Sequence, residues 1–179
     1  NVTLLATKID PTSDILAGFF RDLVSYEHAV STAMVASLLG PAMKFESEKL
    51  QHHVGLAAFL HDVGLYNSGA IKTSKNLMTE DESVMSDEEK AIFRSHSMAS
   101  ADLLKMVKGI DLVVVQAVAQ HHERIDGTGF PEGLGKSQIS RLAEVVGIAD
   151  EFARAVKKSL QSAGINIFVY MESMTHQIF

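Results

Sequence analysis

The sequence predicts an all-α fold, a bundle of closely packed helices, from three observations. Apolar residues recur at spacings of three and four, which places them on one face of a helix. Only three of the 179 residues are Pro, so long uninterrupted helices are allowed. Hydrophobic residues make up 46% of the chain but aromatic residues only 7%, so the core relies on smaller side chains that suit helices packed at short distances.

Start and stop signals divide the chain into helices. Ser13 or Thr12 can cap a first helix that begins at Asp14 and runs, with a break near Ser25, to the stop signal Gly40-Pro41. Four more helices follow, each opened by a residue with a side-chain oxygen. Their expected bounds are Ser47 to Gly64, Ser86 (in a capping box with Glu89) to Gly109, Asp111 to about His122, and Ser140 to a point before Gly164.

The division into domains is simple. Residues 1–12 have no periodic pattern and are expected to be a leader or the end of a preceding region. Residues 13–179 are expected to form one domain, since their length suits a single core. The segment after residue 164 has a mixed pattern that predicts no element.

Charge and composition limit the partners. The net charge is −6 and the pI about 5.7, so a nucleic-acid polymer, which binds basic surfaces, is not expected as a partner. The chain has no Cys, so a metal site would use His and carboxylate ligands. We find no signal peptide and no apolar run long enough to cross a bilayer, so no membrane contact is expected and the expected location is the cytoplasm.

The histidines indicate a metal centre. Five of the eight lie late in helices or on faces that otherwise look like core, in a chain that also offers two suitably placed aspartates. A single buried neutral His is common, but five beside two carboxylates make sense mainly when a cation holds them together. Imidazole and carboxylate ligands suit iron, manganese or zinc. The residues are His28, His61, Asp62, His96, His121, His122 and Asp150.

The order and surroundings of these residues resemble the HD-GYP family, bacterial signalling enzymes of the HD superfamily. The resemblance covers about residues 26–153 and is most specific in the run HHERIDGTGFP. It implies a helical bundle with a binuclear metal site at its centre. The matching positions are His28, residues 61–64 (HDVG), His96, residues 121–131 (HHERIDGTGFP) and residues 150–153 (DEFA).

The resemblance also implies how two divalent metal ions are held. Iron is expected first and manganese next, with zinc as a further option. Asp62 would bridge the two ions and position the water that attacks phosphorus, which makes it the expected catalytic residue. One ion would be bound by His28, His61, Asp62 and Asp150, and the other by His96, His121 and His122.

The activity that the resemblance implies is hydrolysis of cyclic di-GMP to the linear dinucleotide or to GMP. The loop 127–131 would shape the substrate mouth, where its glycines allow close approach of the backbone. Gly129, Phe130 and Arg124 are the expected substrate contacts. Cyclic di-GMP or a related small nucleotide is therefore the expected ligand, with other signalling domains or proteins as further partners.

The chain departs from the family pattern where phosphate would bind. Leu65 stands where the family usually has Lys, and Phe130 replaces the Tyr of Gly-Tyr-Pro, which removes a hydroxyl. Ser97 and Ser100 replace a Pro and a Gly beside His96. A charge-assisted phosphate contact is worth roughly 1.5–3 kcal/mol, so weak turnover or a different substrate is expected.

Two alternatives stay open. The chain can be a metal-containing cyclic-dinucleotide sensor without turnover, a reading that Leu65 and Phe130 favour. It can also be an HD-superfamily enzyme for another substrate, acting by hydrolysis of another nucleotide or by a di-iron oxygenation. Outside the motif, His52-His53 is expected to be solvated, and Glu123 is a candidate for orienting a ligand histidine.

Overall fold

A computed structural model describes residues 23–67, 74, 77 and 81–161. The predicted helix start at Asp14, the leader 1–12 and the tail after Gly164 lie outside the described residues. Within them no strand occurs, apart from an isolated antiparallel bridge between Asp126 and Gly135, so the all-α prediction is confirmed. The helices are α1 (Leu23–Ala42), α2 (Glu48–Leu60), α3 (Val63–Asn67), a short 3-10 helix (Glu82–Val84), α4 (Asp87–Lys105), α5 (Leu112–Gln120) and α6 (Arg141–Gln161).

Small side chains let the helices pack closely around a common centre. Helix α1 packs against α2 and α6, α5 packs against α2, α4 and α6, and α4 packs against α3. Alanine and valine supply most of the fully buried positions, which keeps the helix axes near each other. Examples with no exposed surface are Val54, Ala57, Val118, Val146 and Ala149. No helix in the described part of the chain is long and apolar enough to cross a membrane.

Two of the predicted helix starts have the expected side-chain caps. The hydroxyl of Ser47 accepts a hydrogen bond from the backbone N–H of Leu50 at 3.2 Å. Ser86 and Glu89 form the predicted capping box, in which each side chain accepts from the other residue's backbone N–H, at 3.2 and 2.8 Å. These caps satisfy N–H groups that the first turn of a helix leaves without partners.

The first long helix differs from its prediction. Helix α1 is continuous from Leu23 to Ala42, so the expected break near Ser25 is wrong for the described residues. Pro41 lies in its last turn, where the helix is ending in any case, so Gly40-Pro41 does act as a stop signal.

The predicted end of the second helix at Gly64 is also wrong. Helix α2 ends at Leu60, and Gly64 lies inside α3. A Cβ atom on Gly64 would come within 2.5 Å of the backbone N of Ser100 and 2.6 Å of the carbonyl O of His96. Gly64 is therefore needed for the close contact between α3 and α4, and its N–H donates to the hydroxyl of Ser100 at 2.8 Å. Ser100, one of the two serines that depart from the family pattern, thus joins α3 and α4.

The connection between α4 and α5 gives two further corrections. Helix α4 ends at Lys105, and Gly109 lies three residues past the cap residue Met106, with φ at +90°. Asp111 does precede α5, but its side chain makes no capping bond. Its carboxylate binds Nζ of Lys49 at 3.0 Å and Nε2 of His53 at 2.8 Å instead. His53 is buried, so the prediction that His52 and His53 are both solvated is wrong for His53. His52 is exposed, as predicted.

Candidate metal centre

The seven predicted ligands meet in one cluster at the centre of the bundle. Six of them are buried, and the side chain of His28 is only 9% exposed. We call His28, His61 and Asp150 the first half of the cluster, and His96, His121 and His122 the second half. In each half, one nitrogen or oxygen atom per residue lies within 4.8 Å of those of the other two. His28 lies on α1, His61 and Asp62 in the turn after α2, His96 on α4, His121 and His122 in the turn after α5, and Asp150 on α6.

Three of the imidazoles have their protonation fixed by the backbone. Nδ1 of His61 lies 2.7 Å from the carbonyl O of Ala58, and Nδ1 of His121 lies 2.6 Å from that of Val118. His96 makes the same contact with the carbonyl O three residues before it. A carbonyl oxygen only accepts, so in the neutral form of each ring Nδ1 carries the proton and Nε2 has the lone pair. All three rings therefore present Nε2 as a metal ligand.

Asp62 lies between the two halves and directs one oxygen to each. Its Oδ2 lies 3.1 Å from Nε2 of His61 and 3.7 Å from Nε2 of His28. Its Oδ1 lies 3.0 Å from Nε2 of His96 and 3.9 Å from Nε2 of His121. This placement fits a carboxylate that bridges two ions, because each oxygen shares its neighbourhood with a different set of imidazoles.

The carboxylate of Asp150 completes the first half. Its Oδ1 lies 3.0 Å from Nε2 of His28 and 3.5 Å from Nε2 of His61. Its Oδ2 points away from these imidazoles and accepts from the guanidinium of Arg154, one turn further along α6. One oxygen thus faces the candidate metal position and the other faces a protein cation.

Two features of the second half indicate that the donor set fits a metal ion. Nε2 of His96 and Nε2 of His121 lie 3.3 Å apart, and the backbone bonds leave a lone pair on each. Lone pairs facing each other repel unless a cation lies beside both. Nε2 of His122 is buried and has no hydrogen-bond partner among the described residues, which is costly in a protein interior. One divalent cation would satisfy all three nitrogens.

Burial and neighbouring groups keep the cluster in the protonation state that metal binding needs. Burial, followed by the nearby His61 and His96, holds the pKa of His121 well below its usual value of 6.5. Burial is also the main cause that lowers the pKa of His122. Burial opposes ionisation of Asp62, but its contacts with His61 and His96 outweigh that effect and hold its pKa well below the usual range. At neutral pH His121 and His122 are therefore neutral and Asp62 is charged.

Two phenylalanine rings contact His122. The ring of Phe130 stacks on His122 with a centroid distance of 4.5 Å and an interplanar angle of 28°. Phe93 contacts both rings, at 5.5 Å from His122 and 5.6 Å from Phe130. Phe93 and Phe130 form an apolar wall beside His122, so packing orients this candidate ligand. Sequence reasoning did not single out Phe93.

The glycine before Phe130 makes this stacking possible. A Cβ atom on Gly129 would lie 2.3 Å from the backbone N of Arg124 and 2.5 Å from the carbonyl O of His122. The N–H of Phe130 donates to that same carbonyl at 3.2 Å. The loop therefore lies directly on the turn that carries the ligands. The close approach expected of this glycine is made to the protein's own backbone.

Glu123 fixes the same loop further along. It is buried, and its two carboxylate oxygens accept from the N–H groups of Glu132 at 2.8 Å and Leu134 at 2.7 Å. These bonds satisfy two loop N–H groups that no helix or sheet would satisfy. Glu123 thus holds the loop that carries Phe130, and among the described residues its carboxylate bonds these two N–H groups and no candidate ligand histidine.

Two arginines lie beside the centre. Nη2 of Arg124, a predicted substrate contact, binds Oε1 of Glu151 at 2.7 Å. Arg154 lies 3.5 Å from the same oxygen and also binds Asp150. Sequence reasoning gave no role to Glu151 or Arg154. The spacing of four residues between Asp150 and Arg154 on a helix was the available signal.

The comparisons with known proteins identify the class. The HD domain family matches residues 18–177, and the chain belongs to that family. Among solved structures, Bd1817, an HDG"Y"P protein from Bdellovibrio bacteriovorus, is similar with a TM-score of 0.63 and 24% identity. The match covers 89% of this chain and 55% of that one, and it supports the fold. The resemblance to HD-GYP proteins is thereby confirmed.

Similar curated proteins are cyclic-dinucleotide phosphodiesterases. A cyclic di-GMP phosphodiesterase from Pseudomonas aeruginosa is 32% identical over 132 residues, which are 73% of this chain and 30% of that protein. A 3'3'-cGAMP-specific phosphodiesterase from Vibrio cholerae is 26% identical over 154 residues, which are 86% of this chain and 34% of that protein. The chain therefore spans about a third of the length of these relatives.

Proposed function

We propose that this chain binds two divalent metal ions and hydrolyses a phosphodiester bond of a cyclic dinucleotide, with cyclic di-GMP as the expected substrate. The observation that carries the proposal is the position of Asp62, whose two oxygens face two separate groups of imidazole nitrogens. A carboxylate between two such groups is what a binuclear hydrolytic centre needs. Single buried histidines or one isolated ion pair would not require this arrangement.

The proposed ligands are those expected from the sequence. His28, His61, Asp62 and Asp150 would hold one ion, and His96, His121, His122 and Asp62 the other. Iron and manganese are the expected metals because the ligands are imidazole and carboxylate. When bound, such a pair supplies positive charge for the phosphoryl oxygens and an activated water. The protein's part is to orient the ligands, through the backbone contacts of the imidazoles, and to keep their lone pairs unprotonated.

The substrate class rests on the relatives and on a cavity beside the first half. Two relatives act on cyclic di-GMP and 3'3'-cGAMP, as their names state. A cavity of about 510 Å³ opens between α1 and α6 with His28 in its wall, a volume within the usual range for small-molecule sites. Phe152 and Val156 offer it apolar surface for a base, and Lys157 offers a cation for a phosphate.

The predicted substrate contacts of Gly129, Phe130 and Arg124 remain part of the proposal. All three lie at or beside the turn that carries His122. Each also has a contact within the protein, since Phe130 stacks on His122 and Arg124 is paired with Glu151. Their effect on substrate would therefore be mainly to shape the wall of the site.

The test is product formation from cyclic di-GMP by protein loaded anaerobically with iron or manganese, followed by chromatography, with 3'3'-cGAMP assayed in parallel. Asp62→Ala should abolish turnover because it removes the shared ligand. Asp102→Ala is the matched control, since Asp102 is an exposed residue paired with Lys105 on the surface of α4. Absence of turnover of both dinucleotides by fully loaded protein would contradict the proposal.

One observation favours the second candidate, a sensor that binds a cyclic dinucleotide without turnover. The side chain at position 65, where the family usually has Lys, is Leu and only 2% exposed, so it offers substrate no charge. Saturable binding of cyclic di-GMP to the metal-loaded protein, with no product, would support the sensor. Leu65→Lys is a poor test because the ammonium would be buried in the core.

A further inference from the structure

Asp150 divides its two oxygens between the candidate metal position and a guanidinium. Its Oδ1 lies 3.0 Å from Nε2 of His28 and 3.5 Å from Nε2 of His61. Its Oδ2 accepts from Nη2 of Arg154. The carboxylate is 1% exposed, so this contact is made away from water. A carboxylate with one oxygen engaged in this way can offer only the other to an ion in the first half.

Arg154 is itself held in place by a second ion pair. Its Nη2 lies 3.5 Å from Oε1 of Glu151, and Nη2 of Arg124 lies 2.7 Å from that same oxygen. Nη1 of Arg124 donates to the carbonyl oxygens of His121 at 3.3 Å and Glu123 at 3.1 Å. A continuous set of contacts thus runs from the turn that carries the second half to the carboxylate of the first half.

The low exposure of this network gives it more weight than surface ion pairs have. The side chains of Arg124, Glu151 and Arg154 are 13%, 12% and 16% exposed. Ion pairs shielded from water are screened less than exposed ones, and their geometry is more constrained. The network can therefore fix a side-chain position, which an exposed pair on a flexible lysine would not do.

The same residues also suggest a different site, which the charges disfavour. Ligand atoms of His122, Asp150 and Glu151 lie within 4.8 Å of one another, close enough to hold a further cation. Both guanidinium groups, however, share Oε1 of Glu151. Two fixed positive charges at that oxygen oppose a divalent cation, so an ion-pair network explains the cluster better than a third metal does.

We propose that Arg154 is a positioning residue for the metal ligand Asp150, and that Glu151 and Arg124 hold Arg154 relative to the second half. Arg154 keeps Oδ2 of Asp150 engaged, so that Oδ1 alone binds the ion of the first half. The network also couples the two halves mechanically, because it joins the turn after α5 to helix α6. This inference rests on the proposed metal centre, and it adds residues that act through Asp150.

The test is titration of metal-free protein with Mn²⁺, with free Mn²⁺ measured by electron paramagnetic resonance. Wild type should bind two ions. Arg154→Ala should bind one of them about 10–100-fold more weakly, the usual loss when a partner of a metal ligand is removed, and the other unchanged. Arg154→Lys should restore part of the loss because an ammonium can still donate to Asp150. Lys158→Ala, an exposed cation further along α6, is the matched control and should match wild type.

Two additional variants assign the effect and guard against misfolding. His28→Ala should remove the ion of the first half, and adding Arg154→Ala to it should leave the remaining ion unaffected. Glu151→Gln keeps Arg154 and Asp150 but removes the shared anion, so it should weaken the same ion severalfold even where Arg154→Ala fails to fold. Unchanged affinity for both ions in Arg154→Ala and Glu151→Gln would overturn the positioning role alone. Wild type that binds no Mn²⁺ would overturn the metal centre on which it rests.

Discussion

The two halves of the candidate metal centre are held by different forces. In the first half, His28 contacts Asp150 at 3.0 Å, and Asp150 is held by its ion pair with Arg154. In the second half, His96 and His121 are held by backbone carbonyls, and His122 by stacking on Phe130. The first half should therefore respond most to loss of a charged partner, and the second half to loss of burial or packing.

His61 shows why the division is not complete. It belongs to the first half, yet its Nδ1 is bound to the carbonyl of Ala58 like the histidines of the second half. The residues that separate the halves most clearly are His28 and Asp150, which come from the long helices α1 and α6. Neighbouring side chains orient these two residues, whereas His61, His96 and His121 each bond a backbone carbonyl three residues earlier.

Acid should have the largest effect, and it should act mainly through the second half. The pKa of His121 and that of His122 lie well below 6.5 in the folded protein, chiefly because both are buried. As pH falls, the unfolded chain therefore takes up protons before the folded one does. Their contribution to stability is fully present above about pH 6.5 and is lost below it. Each unit of pKa difference corresponds to about 1.4 kcal/mol.

This prediction is checked by urea unfolding of metal-free protein between pH 7.5 and pH 5. Asp62 acts in the same direction at lower pH, because its pKa is held below the usual value of 3.8. The free energy of unfolding should therefore decrease steadily on acidification. A constant free energy down to pH 5 would show that the buried imidazoles do not resist protonation.

Gly147→Ala should test the contact between α6 and the turn of the second half. A Cβ atom there would come within 2.4 Å of the carbonyl O of His121, so helix and turn must separate. Overpacking of this kind usually costs about 1–3 kcal/mol. The matched control is Gly40→Ala on α1, where the nearest atom is a Val54 side-chain carbon at 3.7 Å. That change should be neutral or stabilising by up to about 1 kcal/mol. Equal stability of the two variants in urea would contradict the close contact.

Phe130→Ala should show how far packing controls the second half. The variant removes the ring that stacks on His122 and contacts Phe93. Because the ring is only partly buried, a loss of roughly 2 kcal/mol is expected, below the usual range for a core Phe. Phe130→Tyr keeps the ring and is the control. Mn²⁺ titration should show weaker binding of one ion in the Ala variant only. His28→Ala identifies the ion of the first half, and if Phe130→Ala weakened that ion alone, the assignment of Phe130 to the second half would be wrong.

The residues of the centre could be predicted from sequence because their chemistry is specific. Buried histidines and aspartates at these spacings have few explanations other than a cation, and the structure brings all seven together. The caps at Ser47 and Ser86 were predictable for a similar reason, since a capping side chain acts within three residues. Local bonds of this kind leave a clear sequence pattern.

The positions that were mispredicted depend on contacts far apart in the chain. Gly64 looked like a helix end, but its role comes from Ser100, thirty-six residues away. The sequence indicated no role for Arg154, because its role comes from its contacts with Asp150 and Glu151. Glu151 in turn binds Arg124, which is distant in the chain. A sequence pattern reports what a residue can do locally, whereas these residues are defined by what packs against them.

The smallest loss of stability should come from His53, a buried histidine that lies outside the centre. His53 binds Asp111 at 2.8 Å and links α2 to the start of α5, but its partner's side chain is 46% exposed, so solvent weakens the pair. His53→Ala should therefore lower the free energy of unfolding by only about 1 kcal/mol, measured in urea at pH 7.5. The neighbouring His52→Ala, an exposed position, should change nothing. Neither variant should alter Mn²⁺ binding, since His53 pairs with Asp111 and is not among the candidate ligands. A change in the affinity for either ion would mean that this peripheral pair is coupled to one of the halves, and that packing through α2 reaches the centre.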